Sequence, residues 1–211
     1  MGAGCSGTEA VTDQKAEKRS LSDLEELYWA RIDSSRMNFT QADVDFMTGM
    51  IAHHAQALIM SRLAPENGAS QSVQTLAARI INAQQDEINL MQKWLKVRGQ
   101  PVPEVHIEGL HLMIHSANGH GQAAKNHHHD MPGMLTQEQL RELSEAKDRE
   151  FDRLFLQYMI DHHMGAVVMV RDLFDTDGAG LDEEAFRLAS DIHVDQITEI
   201  DRMRLMLEEM Y

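Results

Sequence analysis

Two short segments hold most of the chemistry the sequence can offer. Residues 46 to 60 run FMTGMIAHHAQALIM and residues 155 to 169 run FLQYMIDHHMGAVVM. Each contains an adjacent histidine pair, His53-His54 or His162-His163, with a methionine, Met50 or Met159, three and four residues earlier. On a helix, side chains three and four apart are neighbours. Imidazole beside thioether is a soft to borderline ligand set that suits Cu(I), tolerates Cu(II) and is unattractive to Mg²⁺ or Ca²⁺. Adjacent residues diverge by about 100° around a helix, so one histidine of each pair can face the interior while its neighbour faces a partner helix or solvent. Inward histidines from the two segments could then approach each other, with Glu87 and Glu199 hydrogen-bonding second ring nitrogens and fixing the tautomers. The bland alternative is a set of hydrogen-bonded core histidines that specify how helices dock, with methionines as flexible filler.

Further potential ligands crowd the middle of the chain. The stretch from about Gly99 to Met134 contains His106, His111, His115, His120, His127, His128 and His129, with Met113, Met131 and Met134. His111 and His115 stand four apart, so a helical turn would project them from one face toward a shared ion. The triple histidine favours divalent transition metals, copper among them. His193 is a separate candidate in the second half, where it aligns with Ile81, and Asp161 similarly stands where the first half has Ala52. Catalytic chemistries find little support. A di-iron bundle needs Glu-x-x-His on two helices, and the sequence has that spacing only from Glu108 to His111. No phosphate-binding glycine loop, serine elbow or His-Glu-x-x-His helix is present. Binding without catalysis is the simpler expectation.

The elements that must position these groups form an internal repeat. Phe46, Met50, Ile51, His53, His54, Ala57 and Met60 match Phe155, Met159, Ile160, His162, His163, Ala166 and Met169. The segments that follow also correspond: Leu76, Ala77, Ile80, Gln84, Glu87, Ile88, Met91 and Leu95 match Leu188, Ala189, Ile192, Gln196, Glu199, Ile200, Met203 and Leu207. Each repeat is expected to be a helical hairpin, with breaks at Pro65-Glu-Asn-Gly68 and at Asp175-Thr-Asp-Gly-Ala-Gly180. Two hairpins with apolar stripes can bury them against each other, giving an all-α four-helix bundle. The expected organisation is a polar tether over residues 1–19, a short helix over 20–37, a first hairpin over 40–97, a His/Met-rich connection over 98–135 and a second hairpin over 136–211.

Composition agrees with a helical protein that prefers cations. Aromatics make up 5% of 211 residues and there are only 4 prolines, whereas methionine reaches 15 and histidine 12, so the apolar mass is of helix-forming type. The formal charge of −15 disfavours nucleic acid or an anionic lipid surface as partner. A single cysteine, Cys5, rules out an internal disulfide framework. Its setting, Ala3-Gly4-Cys5-Ser6-Gly7, resembles the end of a bacterial lipoprotein signal, which points to export and a lipid anchor at Cys5. No stretch approaches the roughly 20 apolar residues of a spanning helix.

The segments MIAHHAQA and MIDHHMGA, MPGML at 131 to 135, FDRLFLQYMIDHH at 151 to 163 and the two Ile-x₃-Gln-x₂-Glu-Ile helices resemble the domain-of-unknown-function 305 (DUF305) family of secreted or envelope bacterial proteins. The resemblance spans about residues 40 to 210. It implies a ferritin-like four-helix fold and, by association with some members, periplasmic copper binding. It maps onto His53, His54, His162, His163, Met50, Met159, Met131 and Met134, whereas ligands elsewhere in the connection rest on the residues alone. The resulting expectation is a non-catalytic envelope protein that sequesters or passes on copper. The alternative is a helical interaction module, docking on another envelope protein, whose histidines hold no physiological metal.

Overall fold

The computed structural model describes residues 21–36, 38–116 and 131–210. Its elements are α1 (Leu21–Arg36), α2 (Gln41–Arg62), α3 (Gln71–Val97), β1 (Pro103–Glu108), β2 (His111–Ser116), α4 (Gln137–Glu145), α5 (Asp148–Phe174) and α6 (Glu183–Glu208). Most of α1 belongs to a separate unit that ends at Ser34, and its Leu24, Leu27, Tyr28 and Trp29 are exposed. Cys5 and the expected tether lie outside the described residues, as do His120 and the His127, His128, His129 run.

The two repeats form two helical hairpins, α2 with α3 and α5 with α6, joined where α2 packs on α5 and α3 on α6. α2 is the central element. From Phe46 to Ser61 nearly every side chain is buried, because α3, α5 and both strands cover it. Such a helix needs apolar residues all round rather than on one stripe, which accounts for a sequence as rich in Ala, Met, Leu and Ile as 46–60. α3, α5 and α6 keep a mostly polar outer face, interrupted by exposed apolar residues such as Leu90, Phe174, Phe186 and Val194. No helix among the described residues is long and apolar enough to cross a membrane.

α2 starts at a capping box. The Asp43 backbone N–H donates to Thr40 Oγ1 at 3.4 Å and the Thr40 backbone N–H donates to Asp43 Oδ2 at 2.7 Å. Asp43 is fully buried because its other oxygen accepts from the Gly180 N–H at 2.8 Å, which ties the head of α2 to the turn between α5 and α6. Thr40→Ala removes the cap acceptor and is expected to lower stability by about 1 kcal/mol, as read from the urea midpoint. An unchanged midpoint would mean that Asp43 holds the helix start unaided.

The chain is mostly helical, but the connection departs from the all-α expectation. β1 and β2 form an antiparallel hairpin with Glu108 opposite His111, closed by the two-residue turn Gly109-Leu110. Gly109 takes φ 57°, the left-handed region that a Gly-X hairpin turn requires at its first position. His111 and His115 are therefore on a strand and not on a helical turn. Along a strand, residues four apart stand about 13 Å from each other, so these two cannot share one ion. The cause is the alternation Val105, Ile107, Leu112, Ile114: Val105, Ile107 and Leu112 pack against the helical core, and a period of two buries such a set only as strands.

Candidate metal centre

His53 and His54 lie midway along α2, and His162 and His163 occupy the equivalent turn of α5. Because α2 packs on α5, the repeat brings the first histidine of each pair face to face. The His53 and His162 rings lie 3.9 Å apart between centroids, tilted by 39°. The second histidines turn away to the partner helix of their own hairpin. His54 Nε2 donates to Glu87 Oε2 on α3 at 2.6 Å, and His163 Nε2 donates to Glu199 Oε2 on α6 at 2.7 Å. All four histidines have no exposed surface.

These contacts fix where the lone pairs are. A carboxylate and a carbonyl can only accept, so His54, His163 and His53 each carry a proton on Nε2, and the neutral ring of His53 then leaves its Nδ1 bare. The acceptor for His53 is the Pro132 carbonyl, 3.0 Å away. The Nδ1 atoms of His53, His54 and His163 are buried without a protein hydrogen-bond partner, and His162 has none at either ring nitrogen. Burial pushes the His53 imidazolium down to about 3, helped by the neighbouring His54 and opposed by the Pro132 hydrogen bond. Burial likewise holds His162 well below its usual range, reinforced by His53, His163 and His54 and opposed only by a contact to the His53 main chain whose geometry falls short of a hydrogen bond. Both rings are therefore neutral near pH 7 and competent as ligands.

Gln84 and Gln196 stand one turn before Glu87 and Glu199. Both are buried, with the Gln84 amide wholly and the Gln196 oxygen unpartnered among protein groups. Outside this layer, burial raises the Asp195 carboxyl, with help from Glu87, Glu199 and Asp191. The centre thus combines bare imidazole nitrogens inside with carboxylates behind them, an arrangement that favours a cation. Two features restrict it. Among the described residues no three His, Cys, Asp or Glu side chains form a group that could hold a metal, and tilted, stacked rings do not aim two lone pairs at one point. An ion between His53 and His162 therefore requires at least one ring to rotate. A cavity of about 480 Å³ lies elsewhere, against Gly68, Asp152 and Met210, and touches none of the four histidines.

The Met131–Leu135 segment is built into the same place. Gly165 on α5 lets the Pro132 carbonyl and the Gly133 nitrogen approach the helix backbone where any side chain would collide. On the other side, Gln56 of α2 donates to the Leu135 carbonyl at 2.9 Å and accepts from its N–H at 2.7 Å. Met131 sulfur sits 3.4 Å from where a side chain on Gly49 would start, one turn before His53, and the Met169 methyl group is 3.3 Å from that point. Met50 and Met159 are fully buried, whereas Met131 and Met134 are half-buried.

Of the residues singled out from the sequence, the structure brings together His53, His54, His162 and His163, places Met50 and Met159 one turn earlier on their own helices, and lays Met131 over the head of that turn. It leaves His111 and His115 exposed on the hairpin, and His193 half-buried on α6, outside the contacts that join the four histidines. Gln56, Pro132 and Gly165 were not legible as site residues. Gln56 shares its helix with the histidines, but its role depends on a segment 79 residues away.

The family described as Domain of unknown function (DUF305) matches residues 43–207. A DUF305 fragment from Deinococcus radiodurans is 30% identical and superposes with a TM-score of 0.64, covering 81% of this chain and 98% of that one. A candidate secreted DUF305 protein from Streptomyces coelicolor is 25% identical, with a TM-score of 0.62, over 80% and 93% of the two chains. CopM in its Cu(II)-bound form is 29% identical, with a TM-score of 0.58, over 80% and 97%. CopM also has solved Cu(I)-bound and Ag-bound forms, each 26% identical. No curated protein matches the chain.

Proposed function

The chain belongs to the DUF305 family, and from that premise we propose that it is a non-catalytic copper-binding protein of the bacterial cell envelope, a ferritin-like four-helix bundle that sequesters or hands on the ion through its buried histidines. The observation that carries this reading is His162: an imidazole with no exposed surface, stacked on His53, and with no well-formed hydrogen bond from protein groups at either nitrogen. A buried polar group left unpaired costs about 1–3 kcal/mol, so a purely structural role is a poor account of it. A ligand role accounts for it directly. CopM, a relative by structure, has been solved with Cu(I), Cu(II) and Ag, ions that a set of imidazoles and thioethers accepts.

His53 and His162 would supply nitrogen to the ion, with Met50, Met159, Met131 and Met134 as nearby sulfurs, while Glu87 and Glu199 position the outer pair. His193 and the His127, His128, His129 run are proposed accessory ligands. Export, with an anchor at Cys5, completes the proposal. The competing reading, a structural module docking on another envelope protein, draws on the bonded outer pairs, His54 with Glu87 and His163 with Glu199, which join helices without any metal.

His162→Leu separates the two. It replaces an unpaired polar ring by an apolar side chain, so the metal-free protein is expected to be as stable as wild type or slightly more so, while Cu(I) affinity under a competing chelator falls about a hundredfold or more. Equal Cu(I) affinity in a folded variant would make the buried pair structural.

A further inference from the structure

The register of the hairpin collects onto one surface a set of donors that the bundle does not use. Cross-strand partners are Glu104 with His115, His106 with Met113 and Glu108 with His111. These three pairs alternate with Val105 opposite Ile114 and Ile107 opposite Leu112, so all six donors share one face. Glu104, His106, Glu108, His111 and His115 are exposed, while Val105, Ile107 and Leu112 are part-buried and packed on the core. The outward face is thus three imidazoles, two carboxylates and one thioether, with no lysine, arginine, serine or threonine among them. None of the five charged or imidazole side chains makes a side-chain hydrogen bond or ion pair with another described residue.

We propose that this outward face is a surface site for a divalent transition-metal ion of the Cu(II) class, separate from the buried histidines and centred on His106. Directly opposed side chains on a hairpin have Cβ atoms about 4.5–5.5 Å apart, and diagonal neighbours are within reach of long side chains. Ligand nitrogens bind such ions at about 2 Å, so opposed and diagonal residues can share one. His111 and His115 are too far apart to do so, but His106 lies diagonal to both. One ion is held by His106 with Glu108 and His111, or by His106 with Glu104 and His115. Mixed nitrogen and carboxylate donors favour Cu(II) over the other divalent ions of the first row.

The scaffold is rigid where it must be. The inner face is packed, and Gln92 Nε2 on α3 donates to the Pro103 carbonyl at 2.8 Å, pinning the start of β1. Among the described residues no three of the His and Glu donors already converge on one point. Closing on an ion needs only rotation about χ1 and χ2 of exposed side chains, which takes picoseconds to nanoseconds. The site does not depend on the buried pair binding anything.

The test uses the full chain with His127, His128 and His129 changed to Ala, which removes the competing run, and follows backbone amide signals while Cu(II) is added. Paramagnetic Cu(II) bleaches nearby resonances. At one equivalent, residues 104–115 are expected to broaden beyond detection. His106→Ala in the same background should weaken Cu(II) binding at least about tenfold and restore those signals, with far-UV dichroism unchanged because the position is exposed. The proposal is overturned if the hairpin signals persist at one equivalent, if bleaching appears around residues 53 and 162 instead, or if His106→Ala binds as its parent does. His162→Leu should leave hairpin bleaching intact, so failure of the buried site and failure of the surface site give different results.

Discussion

Gly165→Val is expected to lower the unfolding free energy by about 3 kcal/mol, the upper end of what overpacking costs. Most added methyl groups meet side chains that can rotate away. Here the new Cβ would meet main chain: the Pro132 carbonyl carbon and oxygen, and the Gly133 nitrogen 2.8 Å away. The Met131–Leu135 segment would have to lift off α5. Lifting it breaks the His53 bond to Pro132 and both Gln56 bonds to Leu135, each contributing about 1 kcal/mol. Urea denaturation of the metal-free protein measures the loss. A change within about 0.5 kcal/mol, ordinary for surface substitutions, would show that the segment is not seated against α5 in solution.

Acid should destabilise the metal-free protein well above the range in which carboxylates titrate. His53 and His162 are held below the usual imidazole pKa of 6.5 by burial, His53 down to about 3. Between those values the unfolded chain binds protons that the folded chain refuses, so stability rises with pH across that window. The contribution is complete above about pH 6.5 and is lost progressively as pH falls toward 3. Each histidine supplies a slope of about 1.4 kcal/mol per pH unit once the unfolded state is fully protonated. Between about pH 6 and 4.5 most carboxylates are still ionised, so stability measured there isolates the histidines. His162→Leu should remove one of the two slopes. A wild-type profile flat from pH 7 to 4.5 would mean that the rings are solvated or already protonated in the native state.

On the proposed reading, copper and protons would compete for the same nitrogens. A ligand imidazole must be deprotonated, so the burial that destabilises the protein in acid also keeps His53 and His162 ready to bind at neutral pH. The carboxylates behind His54 and His163 add negative charge near a site that would otherwise exclude a cation.

The helices and their pairing were readable in advance, because burying one stripe at a period of 3.6 leaves a mark on every turn. The repeat gave the equivalence of His53 with His162 and of Glu87 with Glu199. Helical geometry required the two members of each pair to diverge. The hairpin was also present in the sequence, in the alternation of Val105, Ile107, Leu112 and Ile114 around Gly109. That signal is short, and the density of histidines interleaved with it invites a helical reading of His111 and His115.

What the sequence determined by itself is therefore local and periodic: which residues lie on helices, which turns of the two halves correspond, and that four imidazoles occupy matching places. Tertiary structure alone decided that the histidines are not equivalent. The Met131–Leu135 segment returns to the bundle once, against the groove where Gly165 has no side chain, and gives its Pro132 carbonyl to His53 and nothing to His162. A repeated sequence specifies two like environments, but a single connecting chain can cover only one of them, and that broken symmetry leaves His162 unpaired.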